Sequence, residues 1–264
     1  MGKLVTFWSP YRGQAKVTST MCAVAAAMGL LYPELEIALS HAQPNSIELE
    51  ERLDCKIGWN KKRELLEKTG VSALKLNYRQ SVLTSEKIRC CAIPLLMKSL
   101  YLFSGSSNQE QMDELWFRIL TEKLVKEFSW TFLDLESGFS DTSVKLMKAA
   151  DVAVIVMPQI PGGRELFPKN KSELWNEKKM CMILGGYLHH SRYSPSYFFR
   201  KKEHRYGLPM VGAIPVNAGY MDAMSEGRTL DFFLRNEFAE KKEENYEFII
   251  QAKRTAEALK RYTE

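Results

Sequence analysis

Short apolar runs rich in β-branched and aromatic residues recur along the chain between stretches of helical period. They lie at Leu4 to Trp8, Ile37 to Leu39, Leu100 to Phe103, Trp130 to Leu135, Val152 to Met157, Met182 to Leu184 and Val211 to Ile214. The pattern predicts about seven strands. Residues 152–157 read VAVIVM with no polar alternation, as expected of a strand covered on both faces in a parallel sheet. Parallel strands need crossovers, and the intervening segments supply helices. The clearest is Asn108 to Phe128, where Met112, Leu115, Trp116, Ile119 and Phe128 share one face and Ser107 with Glu110 forms a capping box. A terminal helix is predicted over Glu243 to Arg261, with Tyr246, Ile249, Ala252, Ala256 and Leu259 at three- and four-residue spacing. Asp54 to Pro94 is the least assignable stretch; helical pieces such as Lys61 to Lys68 alternate there with polar connections. Strands alternating with helices, joined by right-handed crossovers, give a three-layer α/β fold with a mostly parallel sheet. No linker, repeat or low-complexity tract interrupts residues 1–264, so a single domain is expected.

Composition narrows the class without naming a function. The 264 residues are 45% hydrophobic and 26% charged, ordinary for a globular chain. The 37 basic and 32 acidic residues leave +5, too small a surplus to announce a nucleic-acid binder. No apolar run reaches the length of a membrane span, and the start MGKLVTFWSP lacks a signal-peptide pattern, so a cytoplasmic protein is expected. Five cysteines without a CxxC suggest neither a disulfide framework nor a zinc knuckle.

The chemistry concentrates after the first strand, in FWSPYRGQAKVTSTMC (residues 7–22). The strand breaks at Ser9-Pro10, a glycine follows, and a helix resumes near Thr18. This order presents backbone N–H groups and a positive helix end to an anion, the geometry of a phosphate loop. GxxxxGK[ST] is not satisfied anywhere, and a plain strand-to-helix turn has the same texture.

Three segments in order resemble the ParA/MinD family of deviant Walker A P-loop ATPases, whose loop typically reads KGGxGKTT. Arg12, Gly13, Gln14, Ala15, Lys16, Val17, Thr18 and Ser19 align with that loop. FLDLESG (132–138) resembles the family's strand-end acidic motif, with Asp134 at the Walker B position. VGAIPVN (211–217) is similar to the late IP motif bordering the adenine, at Pro215. The resemblance implies a three-layer P-loop fold, ATP or ADP with magnesium on Thr18 and Asp134, and a homodimer. It also implies a role in DNA partitioning or in positioning a cellular machine with a protein partner. Arg12 would take the place of the signature lysine that reaches the partner's nucleotide, and Arg12 and Asp134 would be the catalytic pair.

Departures from the family pattern put hydrolysis in doubt. The P-loop lysine falls on Val17, which cannot donate to phosphate, and the preceding glycine falls on Lys16, whose Cβ would oppose a positive φ. A one-residue slip would let Lys16 itself reach the phosphates. Where the family carries two acids after its second strand, this chain has Ser40 and Ala42, and no base-recognising Asn stands near Gly185 or Gly186. Nucleotide binding weakened or lost, with little or no turnover, is the expectation. A noncatalytic scaffold resembling the polar localisation proteins of pilus-assembly systems is the second reading.

Other clusters carry less. His189, His190 and His204 lack a carboxylate or thiol at ligand spacing, and the vicinal Cys90 and Cys91 could oxidise, although buried or inert cysteines are commoner than redox switches. Asp134 and Glu136 alternate on an extended strand and face opposite sides. The terminal helix mixes Glu243, Glu244 and Glu247 with Lys253, Arg254 and Lys260, which cancels attraction to anionic lipid, so packing on the sheet is expected. RYSPSYFFRKKEHR (192–205) combines five basic residues with aromatics: nonspecific DNA contact and a core-anchored helix with a solvated basic face both fit it.

Overall fold

The computed structural model describes residues 2–43, 48–53, 69–105, 113–160, 179–200 and 208–264. Eight strands form one sheet in the order β3-β4-β2-β5-β1-β6-β7-β8. They are β1 (Lys3–Trp8), β2 (Ile37–His41), β3 (Ile93–Leu95), β4 (Leu100–Leu102), β5 (Trp130–Asp134), β6 (Val152–Met157), β7 (Lys179–Tyr187) and β8 (Met210–Pro215). All neighbours are parallel except β3, which pairs antiparallel with β4 at the edge. This eighth strand has three residues and contains Pro94, too short to read as a strand from alternation, and an edge is where a proline is tolerated.

The described helices are α1 (Val17–Leu31), α2 (Glu48–Leu53), α3 (Gly70–Gln80), α4 (Ser85–Cys90), α5 (Glu114–Ile119), α6 (Asp141–Ala149), α7 (Pro195–Arg200), α8 (Ala218–Ser225), α9 (Thr229–Arg235) and α10 (Tyr246–Thr263). Two apolar clusters lie on the two sides of the sheet. One joins α1 and α10 to inward residues such as Val5, Phe7, Phe132 and Val154; the other holds Trp8, Leu133, Ile155 and Trp116. Every residue of β6 is buried, as its unbroken apolar run requires. The α10 helix packs on the sheet through Ile249, Ala252, Ala256 and Leu259. Thr255 sits so close that a Cβ on Gly212 of β8 would lie 2.3 Å from its hydroxyl.

Two boundaries differ from the sequence reading. The described part of the long central helix begins at Glu114, where Asp113 caps it by accepting from the Trp116 N–H at 2.8 Å. It then passes through one π turn, Leu120–Leu124, that shifts the face before Phe128. Ser107, Glu110, Met112 and the Lys61 to Lys68 piece lie outside the described residues. Within Asp54 to Pro94 the structure resolves α3, α4 and the short β3.

Candidate nucleotide site

The chain builds one side of the sheet through β5 and the other from β6 onward, with β1 between them. The carboxyl end of β1 is therefore the topological switch point, where ligands bind in open α/β sheets. The loop from β1 to α1 leaves this point, braced from the β5 side. The Trp8 indole N–H donates to the Gly138 carbonyl at 2.8 Å, and the Gly138 N–H donates to the Ser9 carbonyl at 2.8 Å.

In the loop itself Arg12, Gly13 and Gln14 are exposed while Ala15 is buried. Gly13 has φ +69°, and Lys16, the residue before α1, has φ 55° and ψ 48°. A lysine thus stands in the left-handed conformation that glycine adopts freely, at a cost of about 1–2 kcal/mol. The Lys16 side chain makes no capping bond to α1, and the N–H groups of a helix's first turn have no partner within the helix. Val17 opens the helix with its side chain in the core, so the aligned lysine position offers no cation. Lys16 is exposed and runs toward the end of β7. Its stem lies over Gly186, where an added Cβ would be 2.5 Å from Lys16 Cδ. The two glycines at the end of β7 act through their lack of a Cβ: at Gly185, one would stand 2.3 Å from the Ala15 carbonyl oxygen.

Thr18 and Asp134 meet. The Thr18 hydroxyl donates to Asp134 Oδ2 at 2.5 Å, linking α1 to the end of β5. Burial pushes the Asp134 carboxyl up to about 6, against the opposing effects of Thr18, His41 and Gln43. A residue the sequence reading did not single out completes this centre: Gln43 Nε2 donates to the same Oδ2 at 2.9 Å. Beside it His41 pairs with Glu50 at 3.2 Å, both almost fully buried, and the Gly105 N–H donates to the same Glu50 oxygen at 2.7 Å. Burial disfavours both charges, but their mutual hydrogen bond outweighs it, raising the imidazole and lowering the carboxyl. Ser40 turns its hydroxyl to the Phe103 carbonyl, at 2.9 Å.

Pro215 and Ser19 share a small cleft with Lys16, Asn217, Tyr220 and Met221. The enclosed cavity there is small, about 30 Å³, room for a water. Asn217 caps α8 by accepting from the Tyr220 N–H at 2.7 Å, and Tyr220 donates its hydroxyl to the Ser19 carbonyl at 2.7 Å. Arg12 stands apart, its side chain 72% exposed, donating from Nε to the Ser137 carbonyl at 3.1 Å with Glu136 3.6 Å away.

The donor set fits magnesium poorly. That ion is usually held through one or two carboxylates together with substrate phosphates. Here the Asp134 Oδ2 already accepts from two donors, and its Oδ1 is sealed from solvent without a hydrogen-bond partner among the described residues. Among the described residues no three His, Cys, Asp or Glu side chains converge.

No protein-family model and no curated protein sequence matches the chain. Solved structures do. A ParA family ATPase from Chlorobium tepidum TLS superposes with a TM-score of 0.68 at 13% identity, over 95% of this chain and 97% of that one. MinD from Aquifex aeolicus gives 0.65 at 15% identity, over 98% and 97%. A Borrelia burgdorferi B31 plasmid partition protein bound to AMPPNP gives 0.67 at 13%, over 99% of both chains. The chain has the ParA/MinD fold. Within that fold the Arg12–Ser19 loop lies at the switch point, Asp134 ends the adjoining strand, and Pro215 ends β8 beside the first turn of α1.

The remaining candidates separate. His189 and His190 are exposed in a turn, and His204 lies outside the described residues, as do Lys201, Lys202 and Arg205. Phe198 packs against a small cluster of Leu184, Tyr187 and Ala213, while Phe199 is exposed. Cys90 is exposed and Cys91 buried, both as free thiols. No described helix is long and apolar enough to cross a membrane.

Proposed function

We propose that this chain is a ParA/MinD-like spatial-organisation protein that binds adenine nucleotide weakly at the Arg12–Ser19 loop and turns it over little or not at all. The observation that carries the reading is the Thr18–Asp134 hydrogen bond, which fixes the start of α1 against the end of β5 below the loop. Amides and a helix N-terminus attract phosphate without any side-chain cation. Hydrolysis needs more: a cation on the transferred phosphoryl group and an aligned water. Val17, Ser40 and Ala42 supply neither.

Nucleotide would act here as a conformational ligand of a homodimer that engages a protein partner. Solved structures with this fold include MinD in complex with MinC and MinD with Mg-ADP. The second reading, a scaffold free of nucleotide control, is favoured by one observation: the cleft beside Pro215 is small, with the Lys16 stem lying over Gly186 on its lining. Sedimentation with and without ATP separates the two. A reversible shift in oligomeric state supports the nucleotide-responsive protein; an unchanged species supports the scaffold. Phosphate release that is robust and abolished by Asp134→Ala would overturn both.

A further inference from the structure

We propose that Gln43 takes the place of metal-bound water on Asp134, so that phosphate ligands at this loop are bound without help from a divalent cation. The inference rests on the nucleotide reading above and concerns how the same site handles charge.

The Asp134 carboxylate at the loop's floor has both its oxygens bonded or closed among the described residues. Oδ2 accepts the Thr18 hydroxyl at 2.5 Å and the Gln43 amide at 2.9 Å. Oδ1 is sealed from solvent. Magnesium keeps several of its waters, whose O–H groups donate to any nearby carboxylate that does not ligate the ion directly. The Gln43 amide is such a donor, covalently attached and neutral, placed on the oxygen that faces Thr18. The surroundings agree with a site that has no cation to balance. Ser40 spends its hydroxyl on the Phe103 carbonyl, Ala42 has no polar group, and Glu50 is neutralised by His41 at 3.2 Å. The neighbouring acids also have cationic partners, Glu48 with Arg52 and Glu136 with Arg12, so among the described residues little unbalanced negative charge is left to draw a divalent ion in.

Gln43→Glu tests the assignment with almost no change in shape, because it exchanges the donor for a second carboxylate beside Asp134. Calorimetric titrations of ATP in magnesium and in EDTA, on the folded wild-type chain and on this variant, provide the readout. Wild-type affinity is expected to differ by less than about twofold between the two buffers, and the variant to bind at least about tenfold more tightly in magnesium, a difference near 1.4 kcal/mol. Gln43→Ala, which removes the donor without adding charge, should show an intermediate dependence and guards against misfolding of the acidic variant. A tenfold gain from magnesium in the wild type overturns the inference and leaves the nucleotide reading standing. Magnesium independence in all three proteins removes the role from Gln43. No binding by the wild type in either buffer overturns both the inference and the reading beneath it.

Discussion

The Thr18 hydroxyl donates to Asp134 Oδ2 across 2.5 Å, joining the first turn of α1 to the last residue of β5. Phe7 of β1 and His41 of β2 flank Asp134 in register on either side. One buried carboxyl thus ties the end of β5 to the start of α1 and to Gln43 after β2, and its protonation is coupled to folding.

The sign of that coupling follows from the direction of the shift. Burial raises the Asp134 carboxyl from the ordinary 3.8 to about 6 in the folded chain. Its contribution to stability is complete below the unfolded value and is lost as pH rises through about 6. Asp134→Asn cannot titrate. The stability difference between wild type and Asp134→Asn should move in favour of the wild type by about 1 kcal/mol between pH 7 and pH 5. Urea unfolding of both proteins at the two pH values measures it. A difference independent of pH would show that the carboxyl is not desolvated as described.

The loop's backbone offers a pair of opposite substitutions. Lys16→Gly removes the left-handed strain, less the greater freedom glycine gives the unfolded chain, and is expected to stabilise the protein by about 0.5–1 kcal/mol. Gly185→Ala would drive a Cβ to 2.3 Å from the Ala15 carbonyl oxygen. That contact is with backbone, so the loop must move, at a cost of about 1–3 kcal/mol. Thermal unfolding of the two variants decides: Lys16→Gly falling below wild type would contradict the assigned backbone conformation.

Much of this was legible in the sequence. Continuous apolar runs gave β5 and β6 nearly to the residue, and the FWSPYRGQAKVTST stretch located the loop, because a buried strand that breaks at Ser-Pro and resumes as a helix leaves few other geometries. Gln43 was not legible. Its role depends on β2 lying next to β5, a neighbour relation set by crossovers rather than by local pattern. The small cleft was hidden for a similar reason: only the structure brings Lys16 against Gly186, 170 positions apart in the numbering. The π turn at Leu120–Leu124 likewise has no periodic signature, since it breaks the period on which helix reading relies.

Arg12 carries the expectation of self-association. Its guanidinium is 72% exposed and is held only by the Ser137 carbonyl, with Glu136 at 3.6 Å. Removing an ion pair this exposed should change stability by about 0–1 kcal/mol. A loss of dimer in Arg12→Ala would therefore report an intermolecular contact and not a weakened fold. Sedimentation of wild type and Arg12→Ala at matched concentrations, with ATP present, checks this; identical behaviour eliminates an interface role.

Backbone amide hydrogen exchange with and without ATP tests most directly whether nucleotide binds at the β1–α1 loop. Peptides covering Gly13 to Ser19 should exchange more slowly when ATP is added, together with those covering Pro215 to Tyr220 across the cleft, while the β3–β4 edge stays unchanged. Unaltered exchange at Gly13 to Ser19 under saturating ATP, or protection confined to another part of the sheet, would contradict the account.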